Sequence, residues 1–183
     1  MSPLQKKILN LLGLLIGITI LVAIGILFVI GFFNPVSISK REKGPYKLVY
    51  LPHTGPYYQT AKTIKNVKKI LQTTALKAGE SCALYYDDPK NVPQNKLRSK
   101  GGVLVKDVVS LKPPLQWQEI PARAVIVGKI KSHPAIASIK VYPKLHKWLR
   151  EHNLKAGTPS LEIYHSNGWV ECQLPIIQVD SLK

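Results

Sequence analysis

The sequence predicts an α+β protein in which an N-terminal transmembrane helix precedes a duplicated β-α-β-β domain, with two main helices packed on one face of an antiparallel-rich sheet. Two observations lead to this fold class. Residues 8–33 carry no charge, and residues 67–79 return at 145–157 with six identities in thirteen positions. In each copy the repeated stretch ends an amphipathic helix and leads into a strand, which is typical of one supersecondary unit used twice around a shared core.

The first element after a short tail, residues 1–7, is the apolar segment that begins at Ile8 and ends at Phe33. As a helix this segment reaches roughly 39 Å, which exceeds the roughly 30 Å hydrocarbon core of a bilayer. It is also longer than the apolar core of about 7–15 residues in a cleaved signal peptide, so we expect a retained anchor. Gly13 and Gly17 match the small-xxx-small pattern through which membrane helices pair, and a homodimer is therefore one option.

The charge on either side of the anchor predicts its orientation. Two lysines precede it, and four basic residues follow it within residues 34–47. The positive-inside rule therefore favours a cytoplasmic position for the large domain of a single-pass protein, in a bacterial inner membrane or in the ER membrane. Residues 34–45 are predicted to be a short polar linker.

The domain is predicted to cover residues 46–177, with copy one at 46–105, copy two at 120–177 and a C-terminal tail at 178–183. Copy one opens with an alternating strand at 46–51, continues with a helix that Gly79 ends, and finishes with strands at 81–86 and 97–105. Copy two opens with an apolar strand at 120–130. Pro143 suits the first position of a helix, so it predicts a break between a short helix and a longer one. Strands at 160–164 and 169–176 then pair through an Asn-Gly hairpin.

Two groups of residues resemble known families. The strand Leu161-Glu162-Ile163-Tyr164, followed by Gln-Leu-Pro-Ile at 173–176, resembles the GyrI-like or AraC effector-binding fold, which is also called SOUL-like. The run Tyr-Tyr-Asp-Asp-Pro-Lys-Asn-Val-Pro at 85–93 is similar to the membrane-anchored, testis-expressed ER-phagy receptors. Those receptors are expected to recruit autophagy machinery through a long tail, which has no counterpart here after the last predicted strand. The resemblance therefore implies an anchored binding domain, without the recruiting tail.

Strand alternation suggests where the ligand binds. If Leu161 and Ile163 face the helices, Glu162 and Tyr164 lie on the opposite, open face of the sheet. The resemblance also implies a pocket glutamate at Glu162. The same parity in the repeat, together with nearby aromatic residues, completes the predicted ligand-binding set: Glu162, Tyr164, Tyr86, Leu84, Trp169 and Tyr50. Tyr57 is a further candidate.

A carboxylate among tyrosines suits a small amphipathic or cationic ligand, and membrane-anchored binding of such a ligand is the function we expect. One alternative is an adaptor whose basic surface, with a net charge of +16, binds a protein or the membrane. A second alternative is a hydrolase in which Glu162 is the catalytic base. No DNA-reading motif is present, so no specific nucleic acid is expected, and the histidine spacing predicts neither a metal nor a cofactor.

Overall fold

The computed structural model describes residues 1–107 and 111–178, and the predicted tail lies outside this range from residue 179 onwards. The helices are α1 Pro3–Val29, α2 Thr60–Leu71 and α3 Pro134–Glu151. The strands are β1 Ser37–Lys43, β2 Tyr46–Thr54, β3 Ser81–Tyr85, β4 Arg98–Val105, β5 Gln116–Ile120, β6 Arg123–Lys131, β7 Leu154–Ala156, β8 Ser160–Tyr164 and β9 Trp169–Gln178.

Helix α1 projects from the rest of the molecule. Ser2 caps its first turn, because the side chain of Ser2 accepts a hydrogen bond from the Gln5 amide and the Gln5 side chain accepts one from the Ser2 amide. None of its residues is buried, and it is long and apolar enough to cross a membrane. The apolar helix is therefore where the sequence predicts it, although it begins at Pro3 rather than at Ile8.

The strands form an antiparallel sheet in the order β1-β6-β9-β8-β3-β4-β2-β5, with β7 paired to the end of β9. This order is symmetric about the central β3–β8 pair, because each half is a strand-helix-strand-strand unit flanked by one more strand. The flanking strands are exchanged: β1 precedes β2 in sequence but pairs with β6, whereas β5 precedes β6 but pairs with β2. The predicted α+β class and the antiparallel-rich sheet are confirmed.

Helices α2 and α3 cover the same face of the sheet. Val67 and Leu71 of α2 pack on Val49 and Val103, and α3 packs its buried stripe on β6 and β9. That stripe is Ala137, Val141, Leu145 and Leu149. Its spacing of four residues places these side chains on one side of the helix.

The other face of the sheet is neither bare nor an open cleft, and the prediction of an open face was wrong. The sheet curves so strongly that the Tyr46 hydroxyl on β2 accepts a hydrogen bond of 3.1 Å from the Gln173 amide on β9, although β8, β3 and β4 lie between those strands. A second apolar cluster fills this concave face: Leu48, Tyr50, Cys82, Leu84, Ile120, Leu161 and Ile163. Because both faces are buried, apolar alternation along a strand does not reveal which face the helices cover.

Three local predictions also need correction. Helix α2 ends at Leu71, eight residues before Gly79, and the Gly79 amide instead donates to the Leu104 carbonyl at 2.9 Å. Residues 34–45 are not simply a linker, because β1 lies within them and pairs along its whole length with β6. Helix α3 is continuous, with Pro143 inside it. A proline at this position leaves the carbonyl of Ile139 without its helical donor, and Ile139 is an exposed residue, so water can take the place of the donor.

Candidate ligand site between the two helices

The candidate site lies in a groove over the centre of the sheet. Helix α2 packs chiefly on β2 and β4, whereas α3 packs chiefly on β6, β7 and β9. The central strands β3 and β8 therefore form the floor between the two helices. Ala83 of β3 and Glu162 of β8 are direct partners in the middle of that floor, and Cys172 is the partner of Glu162 on its other side.

Glu162 is the polar centre of the groove. This residue is only 4% exposed. One carboxylate oxygen accepts a hydrogen bond of 2.8 Å from the Tyr142 hydroxyl on α3, and the other accepts one of 2.7 Å from the Tyr164 hydroxyl on β8. Within residues 1–107 and 111–178, no basic side chain pairs with this carboxylate. The charge is solvated by two hydroxyl groups alone.

Burial controls the titration of this cluster. It raises the pKa of Glu162, and the hydrogen bonds from Tyr164 and Tyr142 offset only part of that rise. Burial also raises the pKa of both tyrosines, and the nearby charge of Glu162 raises it further. The tyrosines therefore stay protonated and act as donors, while the carboxylate is costly to ionise without a cation beside it.

Two more tyrosines extend the groove towards the start of α2. The hydroxyl groups of Tyr85 and Tyr164 lie 3.0 Å apart, and the ring of Tyr85 contacts that of Tyr57, with centroids 4.6 Å apart. The Tyr57 hydroxyl donates to the carbonyl of Asp87 at 2.8 Å, which fixes this ring over the end of β3. The groove is thus lined by four tyrosines around one acid, from two strands, α3 and the turn before α2.

The structure divides the predicted binding residues between two faces. Glu162 and Tyr164 lie together in the groove, but on the helix side of the sheet, so their predicted position on the open face was wrong. Leu84, Tyr86 and Tyr50 belong to the concave cluster on the opposite side. Leu84 pairs with Leu161 rather than lying level with Glu162.

Trp169 lies apart from both groups. It is the first residue of β9, and the residue is 40% exposed beside the hairpin at 165–168. It forms no wall of the groove, because Val170, the next residue, is the one that faces α3.

Sequence reasoning missed Tyr85 and Tyr142 as groove residues. The repeat was aligned with an offset of 78 residues, which pairs Tyr86 with Tyr164. The structure pairs the strands Ser81–Tyr85 and Ser160–Tyr164 about the symmetric centre of the sheet, so Tyr85 is the counterpart of Tyr164. The one-residue difference places every compared side chain on the wrong face. For Tyr142, the available signal was its position beside Val141, an apolar residue of the helix, which places the tyrosine at the edge of the apolar face.

A second buried acid lies on the concave face and is fully paired. Glu171, 2% exposed, contacts Lys129 at 2.6 Å and Lys43 at 3.1 Å and accepts a hydrogen bond from the Gln173 amide. Burial alone would raise its pKa, but these three donors outweigh burial and lower it. Glu171 therefore forms structural ion pairs, whereas Glu162 has no basic partner among the residues that the structure describes.

The family of the chain follows from a comparison with family models. The model of the GyrI-like small molecule binding domain matches residues 37–176, and the chain belongs to that family. The matched range begins with β1, in agreement with the sheet. No curated protein matches the sequence significantly.

Solved structures show the same fold at low identity. EcmrR in an EcmrR–DNA complex has a TM-score of 0.66 at 15% identity, covering 96% of this chain and 69% of that chain. The EcmrR C-terminal domain has a TM-score of 0.60 at 17% identity, covering 80% of this chain and 99% of that one. SAV2435 bound to tetraphenylphosphonium has a TM-score of 0.55 at 11% identity, covering 77% of this chain and 94% of that one.

Proposed function

We propose that this protein is a membrane-anchored receptor for a lipophilic cation, which binds in the groove between α2 and α3 with Glu162 as its counter-ion. The observation that carries the proposal is a buried carboxylate held by two tyrosine hydroxyls without a basic partner in the described part of the chain. An ionised carboxylate in such a place is costly, and a bound cation would remove that cost.

The chemistry of the groove narrows the class of ligand. The protein carries a net charge of +16, so its overall field opposes the approach of any cation, and apolar contact must contribute to binding. A bulky cation with delocalised charge is poorly hydrated and partitions into apolar sites. Tyr57, Tyr85, Tyr142 and Tyr164 offer ring faces for cation–π contact and apolar area for burial. A small-molecule family and a structural neighbour described as bound to tetraphenylphosphonium support the same class.

Binding requires the groove to open. The Glu162 carboxylate is covered by the rings of Tyr142 and Tyr164, which are themselves half-buried. We expect the ligand to displace at least one of these rings and to contact the carboxylate from the side that the ring leaves. The other hydroxyl stays hydrogen-bonded to the second oxygen and keeps the carboxylate in place.

The test is a calorimetric titration of the full chain in lipid nanodiscs with tetraphenylphosphonium. Glu162→Gln should weaken binding at least about tenfold, which corresponds to about 1.4 kcal/mol. The matched control is Glu171→Gln, which removes an equally buried acid from the opposite face and should leave the affinity unchanged. Partitioning of the cation into lipid is the same in all three samples. Equal affinity for the wild-type protein and Glu162→Gln would refute the proposal.

The same variant separates the alternatives. In a hydrolase, Glu162→Gln would abolish turnover of an electrophilic substrate while leaving its binding intact. In an adaptor of the kind suggested by the resemblance to ER-phagy receptors, Glu162→Gln would change neither ligand response nor partner binding. A cytoplasmic position of the domain and pairing of α1 through Gly13 and Gly17 belong to the proposed anchoring.

A further inference from the structure

The domain is joined to α1 rigidly rather than by a flexible linker. The carbonyl of Ile30, the first residue after α1, accepts a hydrogen bond of 2.9 Å from the amide of His133, between β6 and α3. The side chain of Asn34 donates to the carbonyl of Lys131. Lys140 of α3 donates to the carbonyls of Phe32 and Asn34.

Gly31 allows the chain after α1 to approach residues 131–132 closely. Its φ of +75° lies in the left-handed region, and a Cβ placed there would come within 2.5 Å of the Lys131 carbonyl oxygen. Any other residue would strain the backbone and push the two segments apart. The chain thus leaves α1 and meets the domain within two residues.

The length of α1 locates this junction relative to a bilayer. Twenty-seven helical residues at about 1.5 Å each span roughly 40 Å, whereas the hydrocarbon core is about 30 Å thick and the whole bilayer about 40–45 Å. The uncharged part of α1, residues 8–29, spans about 33 Å, so with Lys6 and Lys7 among one set of head groups the helix ends at the opposite acyl–head-group boundary. Since the domain begins at Ile30, the end of the domain that is joined to α1 lies at the level of the head groups.

This membrane-proximal end consists of residues 131–139 and the hairpin residues 165–169. Lys131, the last residue of β6, is paired with Trp169, and Gly168 lies beside the Lys131 side chain. Trp169 is 40% exposed, and Ile139 in the second turn of α3 is 68% exposed. Exposed tryptophan and apolar side chains beside lysine are the residue types found where proteins meet the membrane–water interface.

We infer that the membrane-proximal end, residues 131–139 and 165–169, rests on the bilayer surface, with Trp169 and Ile139 at the acyl–head-group boundary and Lys131 against anionic phospholipid head groups. This inference rests on the proposed anchoring by α1 but not on ligand binding. It gives the domain one fixed orientation on the membrane. Ala135, Ile139 and Tyr142 follow one stripe of α3, which runs from the membrane-proximal end to the residue that contacts Glu162.

Single-tryptophan variants of the full chain test the contact in vesicles that contain lipids with a bromine or nitroxide quencher near the carbonyl level. One variant keeps Trp169, with Trp117→Phe and Trp148→Phe. The control keeps Trp148 instead, which is fifteen residues beyond His133 on α3, about 22 Å further along the helix. Quenching of Trp169 should be at least about twofold stronger than that of Trp148, and stronger again with anionic lipid.

Three results would overturn the inference. Equal quenching of the two tryptophans in vesicles that the protein demonstrably floats with refutes the contact while leaving the anchor intact. Equal quenching of Trp169 in neutral and anionic vesicles refutes the assignment to anionic lipid. Failure to float refutes the anchor and the contact together, whereas tetraphenylphosphonium binding is measured separately and is not affected.

Hydrogen exchange of the wild-type chain provides a readout that needs no variant. Residues 132–139 and 165–169 should exchange more slowly in anionic nanodiscs than in detergent micelles, whereas the distal turn at 87–93 should not change. Identical exchange of the membrane-proximal end in the two environments contradicts the contact, whatever the folding of the tryptophan variants.

Discussion

The hydrogen bond from Tyr142 to Glu162 yields a quantitative prediction. Tyr142→Phe removes a donor that lies 2.8 Å from a carboxylate oxygen of a residue only 4% exposed. A hydrogen bond to a charged group contributes about 1.5–3 kcal/mol, and one between neutral groups about 0.5–1.5 kcal/mol. We therefore expect Tyr142→Phe to lower the free energy of unfolding by about 2 kcal/mol when Glu162 is ionised, and by about 1 kcal/mol less when it is protonated.

The assay is urea denaturation of the full chain in non-ionic micelles, monitored by tryptophan fluorescence. It is run at one pH below and at one pH above the pKa of Glu162. The cost of Tyr142→Phe should be lower in the Glu162→Gln background, giving a coupling free energy of about 1 kcal/mol. Tyr46→Phe is the control, since that hydroxyl contacts the neutral amide of Gln173 at 3.1 Å. A Tyr142→Phe cost that is the same at acid and alkaline pH and in the Glu162→Gln background would refute the argument.

Four further predictions concern the stability of the domain. The pKa of Glu162 is raised in the folded protein, so its contribution to stability is complete below the unfolded pKa of about 4.3 and is lost as the pH rises through the folded pKa. In the same urea assay, Glu162→Gln should therefore gain stability relative to wild type as the pH rises. The pKa of Glu171 is lowered in the folded protein, so its contribution to stability is present above the unfolded pKa and is lost as the pH falls through the folded pKa. Glu171→Gln should therefore lower the free energy of unfolding most at neutral pH, and a pH-independent difference from wild type would contradict this. Leu145→Ala, at a fully buried position of α3, should cost about 2–5 kcal/mol, whereas the exposed neighbour Lys144→Ala should change stability little. Gly128→Ala should unfold or shift α3, because the added Cβ would lie 2.3 Å from a methyl group of Val141; a thermal melt that matches wild type would show that the helix moves freely.

Much of the fold is readable from the sequence because it rests on local patterns. The uncharged segment, the 3.6-residue apolar stripe of α2 and the Asn-Gly hairpin each reflect interactions within a short stretch. The repeated thirteen residues indicate two similar halves, and the symmetric strand order agrees with them, although a tandem duplication as the origin of the halves stays a prediction. The choice of Glu162 as a ligand residue also stays a prediction.

The exchange of β1 and β5 between the halves had no sequence signal. The sequence predicts a linker here because the burial of β1 comes from β6, eighty or more residues away in the chain. A short polar strand gains its hydrogen bonds only when that distant edge is available, so its own residues carry little information about it.

The sequence by itself determined that an apolar helix precedes an α+β domain, and that a strand near the end of that domain carries one acid and one tyrosine on the same side. Only the tertiary structure decided which side that is. The sheet curves until its concave face also buries an apolar cluster, so strand alternation alone does not distinguish that face from the one beneath the helices. The acid lies under α3, where the Tyr142 hydroxyl reaches it, and a single residue of register separates that arrangement from its opposite.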